Sequence, residues 1–380
     1  MDFDPESLDR IRLEELRERR SIKWRKYPPD VLPAFVAEMD FPLAPPVAEA
    51  LTAAVARSDT GYVHPGGLLE AYAGWAGKQL GWEVDPAAMT PVPDVMTGVA
   101  ICLEFFTEPG DGVVVNPPVY RPFFEVVEEV GRTVVASPLR QEGGRYAIDL
   151  ADLEAKFAAG ATAYLLCNPH NPVGRVWDAA TLEQVAVLAD RYTVLVLADE
   201  IHAPLVLPGA THVPYLAVAG EADAVVLTAA SKGWNLAGLK CGLMVAGSRR
   251  VRRRFDGISD RLENGTGLFG VIAAEAAFRN GQPWLDAVVE YLDGNRRLLA
   301  ELLADRLPAV RYSPPEASYL AWLDCADLGL PDPTATFLER GRLATYPGTD
   351  FGGPATTVRV NIGTTRAILT GIVDRMAASL

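Results

Sequence analysis

The chain has 380 residues, of which 49% are hydrophobic and 22% charged, and its formal net charge is -14 at pH 7. This length and composition predict a globular protein with a large domain and a smaller partner domain. A general nucleic-acid-binding protein is not expected, because such a protein needs a basic face that so acidic a chain lacks.

The N-terminal segment is charged in its first twenty residues, MDFDPESLDRIRLEELRERR, and its pattern predicts helix. It lacks the apolar core of a signal peptide, and no stretch approaches the ~20 apolar residues of a membrane span, so we expect a soluble, cytoplasmic protein. Residues 26–46 are rich in proline and therefore extended. We expect them to form an arm whose Phe35, Met39 and Phe41 cover another surface.

Helical and strand patterns alternate from residue 45 to residue 247. The helical patterns are PPVAEALTAAVAR, GLLEAYAGWAGKQLGW, TGVAICLEFFTE, FFEVVEEVG, DLEAKFAAG and TLEQVAVLADRY. The strand patterns are GVVVN, TVVASPL, AYLLCN, TVLVLAD, AVVLTA and LKCGLMVAG. Short, almost wholly apolar strands between amphipathic helices predict an α/β domain whose largely parallel sheet is covered on both faces.

The pattern changes after about residue 281. A long helix over 284–307 precedes VRYSPPEASYLAWLDC, which alternates like antiparallel strands, and a helix over 334–342, the strand VRVNIG and a last helix follow. This order predicts a small α+β domain. We therefore expect an arm over 1–45 that joins the small domain, a large domain over 46–280 and the small domain over 281–380.

Two further features receive structural interpretations. The cysteines, Cys102, Cys167, Cys241 and Cys325, lie far apart in apolar contexts, so we interpret them as small hydrophobic residues in a reducing compartment. The basic cluster RRVRRRF at 249–255 is interpreted as the solvated face of a helix, with a phosphate-rich partner as the alternative.

Three polar residues follow apolar strands and carry the functional hypothesis. Asn171 lies in NPHNPVG after AYLLCN, Asp199 ends TVLVLAD, and Lys232 follows AVVLTAAS. Each has a structural alternative: a turn for NPHNPVG, a helix cap for Asp199 and a lysine that extends to water for Lys232. Because ligands bind beyond the carboxyl ends of parallel strands, the three together predict one ligand site.

These side chains match the needs of pyridoxal 5'-phosphate. Lys232 offers the amine for a Schiff base with the aldehyde, and Asp199 offers the anion that keeps the ring nitrogen protonated. Asn171 offers an amide to the phenolic oxygen, and Tyr120 in NPPVYRPF offers a ring for stacking. The helix that opens at MTGVA, residues 96–100, offers backbone amides to the phosphate.

The chain resembles the fold-type-I pyridoxal-phosphate enzymes of the aminotransferase superfamily, and more narrowly the MalY/PatB group of cystathionine β-lyases. The residues that carry the resemblance are LPAFVAEMDFP, TGYVHPGG, EPGDGVVVNPPVYRPF, LLCNPHNPVGRVW, LADEIHAPLV, SKGWNLAGLKC and VRVNIG. They span nearly the whole chain in the order of the family. The resemblance implies a fold-type-I architecture with a large, mostly parallel sheet domain and a small α+β domain.

Roles follow from the resemblance by position. It implies that Lys232 is the Schiff-base lysine and Asp199 the pyridinium partner, that Asn171 bonds the phenolic oxygen, and that Tyr120 stacks on the ring. Phosphate contacts are implied for the amides of Gly98 and Val99 and the hydroxyls of Thr97 and Ser231.

The resemblance implies roles for three further residues. His202 replaces a tyrosine that reaches the phenolic oxygen, with a structural histidine as the alternative. Tyr62 resembles the tyrosine that reaches the partner subunit's phosphate. Arg359 resembles the arginine that binds the substrate α-carboxylate, with a structural ion pair as the alternative.

Two positions depart from many aminotransferases. Lys240 stands where those proteins place a phosphate-binding arginine, and Ala229 stands where they often place a serine. We therefore expect the charge of the phosphate to be compensated more weakly or in another way.

The resemblance implies β-elimination of S-substituted L-cysteines such as L-cystathionine, which gives a thiol, pyruvate and ammonia. The alternatives are transamination by the same cofactor and, in another class, a pyridoxal-phosphate-binding regulatory protein. It also implies a homodimer with shared sites. A small amino-acid substrate is expected, and no metal, nucleic acid or membrane.

Overall fold

The computed structural model describes residues 3–142, 144–255, 257 and 265–380. Its central element is a seven-stranded mixed sheet. The strands of the chain, in order, are β1 (Leu32–Pro33), β2 (Met89–Val92), β3 (Gly112–Val115), β4 (Thr133–Ala136), β5 (Arg140–Glu142), β6 (Arg145–Ala147), β7 (Ala163–Cys167), β8 (Leu195–Asp199), β9 (Ala224–Thr228), β10 (Gly242–Ala246), β11 (Arg311–Tyr312), β12 (Leu320–Asp324), β13 (Leu343–Ala344), β14 (Tyr346–Pro347) and β15 (Thr357–Asn361).

Helices cover both faces of the sheet. The α-helices of the described residues are α1 (Leu13–Leu16), α2 (Ile22–Arg25), α3 (Pro45–Ala56), α4 (Leu68–Leu80), α5 (Val95–Phe106), α6 (Pro122–Glu129), α7 (Leu150–Ala158), α8 (Ala179–Tyr192), α9 (Tyr215–Ala219), α10 (Ala230–Gly233), α11 (Arg249–Phe255), α12 (Leu268–Asn280), α13 (Gln282–Arg306), α14 (Pro333–Glu339) and α15 (Arg366–Ala378). Several begin at an aspartate whose carboxylate accepts a backbone N–H of the first turn, which stabilises the helix start.

The central sheet has the strand order β2-β10-β9-β8-β7-β3-β4. The five strands from β9 to β4 are parallel, which confirms the predicted parallel sheet, whereas β10 is antiparallel to both β9 and β2. Every residue of β7, β8 and β9 is buried. Burial on both faces explains why these strands are apolar runs without alternation.

The second sheet has the order β11-β12-β15-β14 and is antiparallel, as the alternation after residue 281 predicts. Helices α13 and α15 of this region pack against each other. The long helix predicted over 284–307 is present as α13. The sequence patterns missed the β5–β6 hairpin, the edge strand β2 and the helix α12.

The N-terminal segment differs from the single helix predicted. It consists of a 3-10 turn over Pro5–Asp9 followed by the short helices α1 and α2. The breaks between them allow Leu8, Leu16 and Trp24 all to be buried, which outweighs continuous helix formation.

The proline-rich arm contains β1, which pairs with β13 in a separate two-stranded sheet. In parallel register, Leu32 pairs with Leu343 and Pro33 with Ala344. Phe35, Met39 and Phe41 are all buried, as expected of a covering arm. The arm also carries backbone carbonyl groups to the cavity described below.

Two other predictions concern the surface. Val251 and Phe255 of α11 are buried while its arginines are partly or fully exposed, which agrees with a solvated helix face. Within the described ranges, no helix combines the length and hydropathy that crossing a membrane requires.

Candidate active site

The C-terminal ends of β7, β8 and β9 open into one cavity of about 370 Å³. Cys167 pairs with Asp199, and Asp199 with Leu227, so the loops after these strands begin at one edge of the sheet. The residues predicted from sequence that line the cavity are Tyr120, Asn171, Asp199, His202, Ser231, Lys232 and Lys240.

Lys232 lies on α10, a single helical turn that follows β9 directly. Its Nζ donates to the carbonyl oxygen of Ala37 in the N-terminal arm across 3.0 Å. Burial lowers the pKa of Lys232 to about 8, the charge of Arg359 acts in the same direction, and Asp199 opposes both. A lysine with this pKa supplies neutral amine near physiological pH, so it can act as a nucleophile or a base.

Asp199 is the last residue of β8 and is buried. Its Oδ1 accepts the backbone N–H of Ile201 at 3.0 Å, and the 3-10 turn that follows starts only at Ala203, so Asp199 is not the cap of that turn. Burial raises the pKa of Asp199 to about 7, against the opposing effects of the Ile201 N–H and Lys232. A desolvated carboxyl group with one backbone donor is well suited to a cationic N–H partner.

Asn171 and Arg359 meet across the two sheet regions. Arg359 Nη1 donates to Asn171 Oδ1 at 3.1 Å, and Arg359 Nη2 donates to the carbonyl oxygen of Phe35 at 2.9 Å. Because Oδ1 of Asn171 accepts from the arginine, its Nδ2 amino group is left to donate into the cavity.

Arg359 lines a second cavity of about 280 Å³, and this cavity shares the lining residues Ala37, Tyr120 and Lys232 with the first. Its guanidinium lies 5.0 Å from the ring centre of Tyr346 and 4.8 Å from that of Phe351. The group is buried, its Nε has no hydrogen-bond partner among the described residues, and burial lowers its pKa to about 10. No carboxylate of the described residues forms an ion pair with it, which disfavours the structural ion pair and leaves a charged donor for an anion.

Tyr120 and His202 complete the walls of the first cavity. Burial raises the pKa of Tyr120 to about 12, although Arg359 opposes the shift, so the phenol is neutral. Burial, with repulsion from Lys232 and Arg359, lowers the pKa of His202 to about 3, so this imidazole is neutral too. The Nδ1 of His202 is buried without a partner among the described residues, so it is free to bond a ligand.

The phosphate contacts predicted at the start of α5 require correction. The amide and the hydroxyl of Thr97 both donate to Asp94 Oδ1, at 2.8 and 3.0 Å, and the Gly98 amide donates to the Asp94 carbonyl oxygen. Val99 lies deeper still and is 1% exposed, and none of the three lines the cavity. The prediction placed the helix start too late. Because α5 begins at Val95, the amides of Val95 and Met96 have no partner within the helix, and no hydrogen bond from either to another described residue is found. Both residues line the cavity.

Lys240 and Asp94 form an ion pair beside these amides. Lys240 Nζ lies 2.9 Å from Asp94 Oδ2, and both residues line the cavity. Sequence reasoning missed Asp94, although the pattern Asp-x-x-Thr before an apolar run is a helix-cap signal that could have located it. The carbonyl groups of Phe35 and Ala37 were missed as well, and no local signal marks them.

Tyr62 is not brought to this cavity by its own chain. It is 96% exposed, in a stretch of exposed residues between α3 and α4. An aromatic side chain so exposed has no partner within its own chain to bury it.

The residues of the first cavity fit pyridoxal phosphate. The cavity is lined by a lysine of lowered pKa, a buried carboxyl group that can pair with a cation, an amide donor and an aromatic side chain. The residues whose helix N-terminal amides are free line the same cavity as Ser231 and Lys240.

Comparisons with known proteins point to the family that the sequence resembles. A family model described as aminotransferase class I and II matches residues 36–376. The chain is 44% identical to a provisionally named cystathionine beta-lyase of Mycobacterium leprae, which covers 98% of each chain. It is 38% identical to the cystathionine beta-lyase PatB of Bacillus subtilis, over 97% of this chain and 98% of the relative.

A solved structure extends the comparison. Cystalysin from Treponema denticola, which contains a pyridoxal 5'-phosphate cofactor, superposes with a TM-score of 0.90 at 26% identity. The match covers 100% of this chain and 99% of that one. The overall fold, including both sheets, is therefore shared with a pyridoxal-phosphate protein.

Proposed function

We propose, from the premise that this chain belongs to the aminotransferase class I and II family, that it is a pyridoxal-phosphate-dependent carbon–sulfur β-lyase of the cystathionine β-lyase type. Its reaction is the β-elimination of S-substituted L-cysteines such as L-cystathionine, with a thiol, pyruvate and ammonia as products. The observation that carries the proposal is the position of Lys232 on the boundary between a cofactor-sized cavity and a cavity lined by Arg359.

Bound pyridoxal phosphate supplies an electron-accepting pyridinium ring that stabilises negative charge at the substrate α-carbon. The chain holds this group with Lys232 at the aldehyde, Asp199 at the ring nitrogen, Asn171 at the phenolic oxygen and Tyr120 against the ring. The amides of Val95 and Met96, with the hydroxyl group of Ser231, would hold the phosphate, and Lys240 lies at the same end of the cavity.

Lys232 is the proton carrier of the reaction. Because its pKa is about 8 and the residue lines both cavities, its amine is available to remove the α-proton of a substrate held beside it. The carbonyl group of Ala37 orients this amine when the lysine is not otherwise engaged.

Arg359 positions the substrate. This buried residue lines the second cavity, and its Nε has no hydrogen-bond partner in the described part of the chain. A bidentate contact to the α-carboxylate fixes which substrate bond points toward Lys232. The aromatic rings of Tyr346 and Phe351 keep the guanidinium in place and exclude water from its surroundings.

The active protein is a homodimer in the cytoplasm, with Tyr62 of each subunit completing the phosphate end of the other subunit's site. The exposure of Tyr62 supports this arrangement.

The test is the Lys232→Ala variant, assayed for thiol and pyruvate release from L-cystathionine. Turnover should fall at least about a thousandfold, because the variant loses both the cofactor amine and the base. Lys156→Ala, which removes a lysine that pairs with Asp152 outside both cavities, is the control and should keep wild-type turnover. Full turnover in Lys232→Ala would overturn the proposal.

A further inference from the structure

The phosphate end of the candidate cofactor cavity carries a negative side chain of its own. Asp94 is the N-cap residue of α5, and its carboxylate accepts from Thr97 through Oδ1 and from Lys240 through Oδ2. Asp94, the two free amide positions Val95 and Met96, and Lys240 all line the same cavity. An anion that binds at this helix start must therefore lie close to a carboxylate.

The carboxylate of Asp94 is ionised near neutral pH. Burial raises the pKa of Asp94, but the hydrogen bonds from Thr97 and Lys240 outweigh it, so the net shift is downward. Its charge therefore opposes a bound phosphate throughout the physiological range.

The charge balance at this end is small. A helix N-terminus contributes about +0.5 charge, and the pair of Lys240 and Asp94 contributes none in sum. A phosphate monoester carries about -1.5 to -2 charges at neutral pH. No other charged side chain of the described residues lines this end, since Lys232 and Asp199 belong to the amine and ring-nitrogen ends.

Resting on the function proposed above, we infer that Asp94 lowers the affinity of this site for the cofactor phosphate, and that Lys240 serves largely to neutralise Asp94. Asp94 thus sets the rate at which the cofactor is released. The site binds an aromatic phosphate ester reversibly, with an exchange rate governed by one acidic residue at the helix start.

The chain offers a substitution that separates charge from helix capping. Asparagine caps helices as well as aspartate, so Asp94→Asn removes the charge and keeps the cap. Asp178→Asn is the matched control, because Asp178 caps α8 through the same contact, with Thr181 N at 2.8 Å, and lines neither cavity.

The first experiment follows cofactor release from purified holoenzyme. Wild type and both variants are diluted into cofactor-free buffer, and the visible absorbance of the lysine-bound cofactor is followed. Asp94→Asn should release pyridoxal phosphate at least about tenfold more slowly than wild type, since removal of one like charge at contact distance is worth that much even when partly screened. Asp178→Asn should release it at the wild-type rate.

The same measurement with pyridoxal, which lacks the phosphate, locates the effect. The retention of pyridoxal should be equal in wild type and Asp94→Asn. An equal slowing for both ligands would mean that the substitution acts on the ring end or on the fold, and it would overturn the inference.

A double-substitution cycle tests the role given to Lys240. Lys240→Gln alone should speed release at least about tenfold, because Asp94 is then uncompensated, whereas in the Asp94→Asn background the same replacement should change it about threefold or less. Equal effects in both backgrounds would show that Lys240 contacts the phosphate independently of Asp94.

The outcomes separate the two proposals. A wild-type protein without any lysine-bound cofactor would contradict the proposed function itself. A wild-type holoenzyme whose cofactor release is unchanged or faster in Asp94→Asn would leave that function intact and overturn the inference about Asp94.

Discussion

Arg359 Nη1 donates to Asn171 Oδ1 across 3.1 Å, and this contact connects strand β15 of the second sheet to the loop that follows β7 in the first. The two residues are 188 positions apart in the chain. The group proposed to bind the substrate carboxylate is thus bonded to the group proposed to hold the cofactor ring. Substrate binding and cofactor orientation are expected to depend on each other.

The first prediction concerns Arg359→Lys. An ammonium group keeps the charge but cannot form the bidentate contact, so KM for L-cystathionine should rise about 10- to 100-fold. The cofactor content should stay at the wild-type level. Steady-state kinetics and absorbance of the purified holoenzyme check this, with Arg311→Lys as the control because Arg311 forms exposed ion pairs on the same sheet. An unchanged KM would remove Arg359 from the substrate site.

The second prediction concerns Gly98, which the structure assigns to packing. A Cβ at this position would lie 2.8 Å from Leu227 Cδ2 and 3.3 Å from Met244 Cγ. Gly98→Ala should therefore destabilise the protein by about 1–3 kcal/mol through overpacking and leave cofactor affinity unchanged. Thermal unfolding compares it with Gly74→Ala, a helical position with no neighbouring atom within 4 Å, which should not be destabilised. Loss of cofactor affinity in a stable Gly98→Ala protein would restore its predicted phosphate role.

The third prediction concerns pH and His170. Burial lowers the pKa of His170 to about 4, although its ring bonds the carbonyl oxygen of Pro118 at 2.9 Å. Because the folded-state pKa is below the unfolded value of about 6.5, the stabilisation is complete above pH 6.5 and is lost as pH falls toward 4. The loss amounts to about 3 kcal/mol.

The comparison variant is His170→Gln, whose amide can still donate to Pro118. The acid-induced fall of its unfolding midpoint between pH 7.5 and 4 should be smaller than that of wild type by the contribution of His170. Shifts from His202 and Asp199 occur in both proteins and cancel in this difference. If the unfolding midpoints of the two proteins fell in parallel with pH, the lowered pKa of His170 would be refuted.

The fourth prediction concerns Tyr62 and the proposed homodimer. The turnover of Tyr62→Ala and of Lys232→Ala should each be impaired. When subunits of the two variants exchange, they form hybrid dimers in which one of the two sites has neither defect. Equal mixing should therefore recover up to about a quarter of wild-type turnover. Activity is measured after exchange, and Lys232→Ala mixed with itself is the control. A monomer in solution, or a mixture no more active than its parts, would contradict the shared site.

The sequence predicted that Asp199 and Lys232 lie at one edge of the sheet, and both line the same cavity there. The prediction was possible because Asp199 ends one uninterrupted apolar strand and Lys232 follows another within four residues. The start of α5 was misplaced because β2, the strand before it, contains a proline and lacks an apolar run, so Asp94 was not recognised as the cap. The contacts of Arg359 with Asn171 and of Lys232 with Ala37 join distant segments, and local patterns carry no information about them. The domain boundaries at residues 45 and 280 stay predictions.

The central claim is most directly tested by product analysis with L-cystathionine in the absence of any keto acid. Pyruvate, free thiol and ammonia are measured while the cofactor absorbance is followed. We predict catalytic release of pyruvate and thiol in equal amounts, with the cofactor spectrum unchanged after many turnovers. Absence of pyruvate, with the cofactor converted to its amine form until a keto acid is added, would contradict the account and identify an aminotransferase.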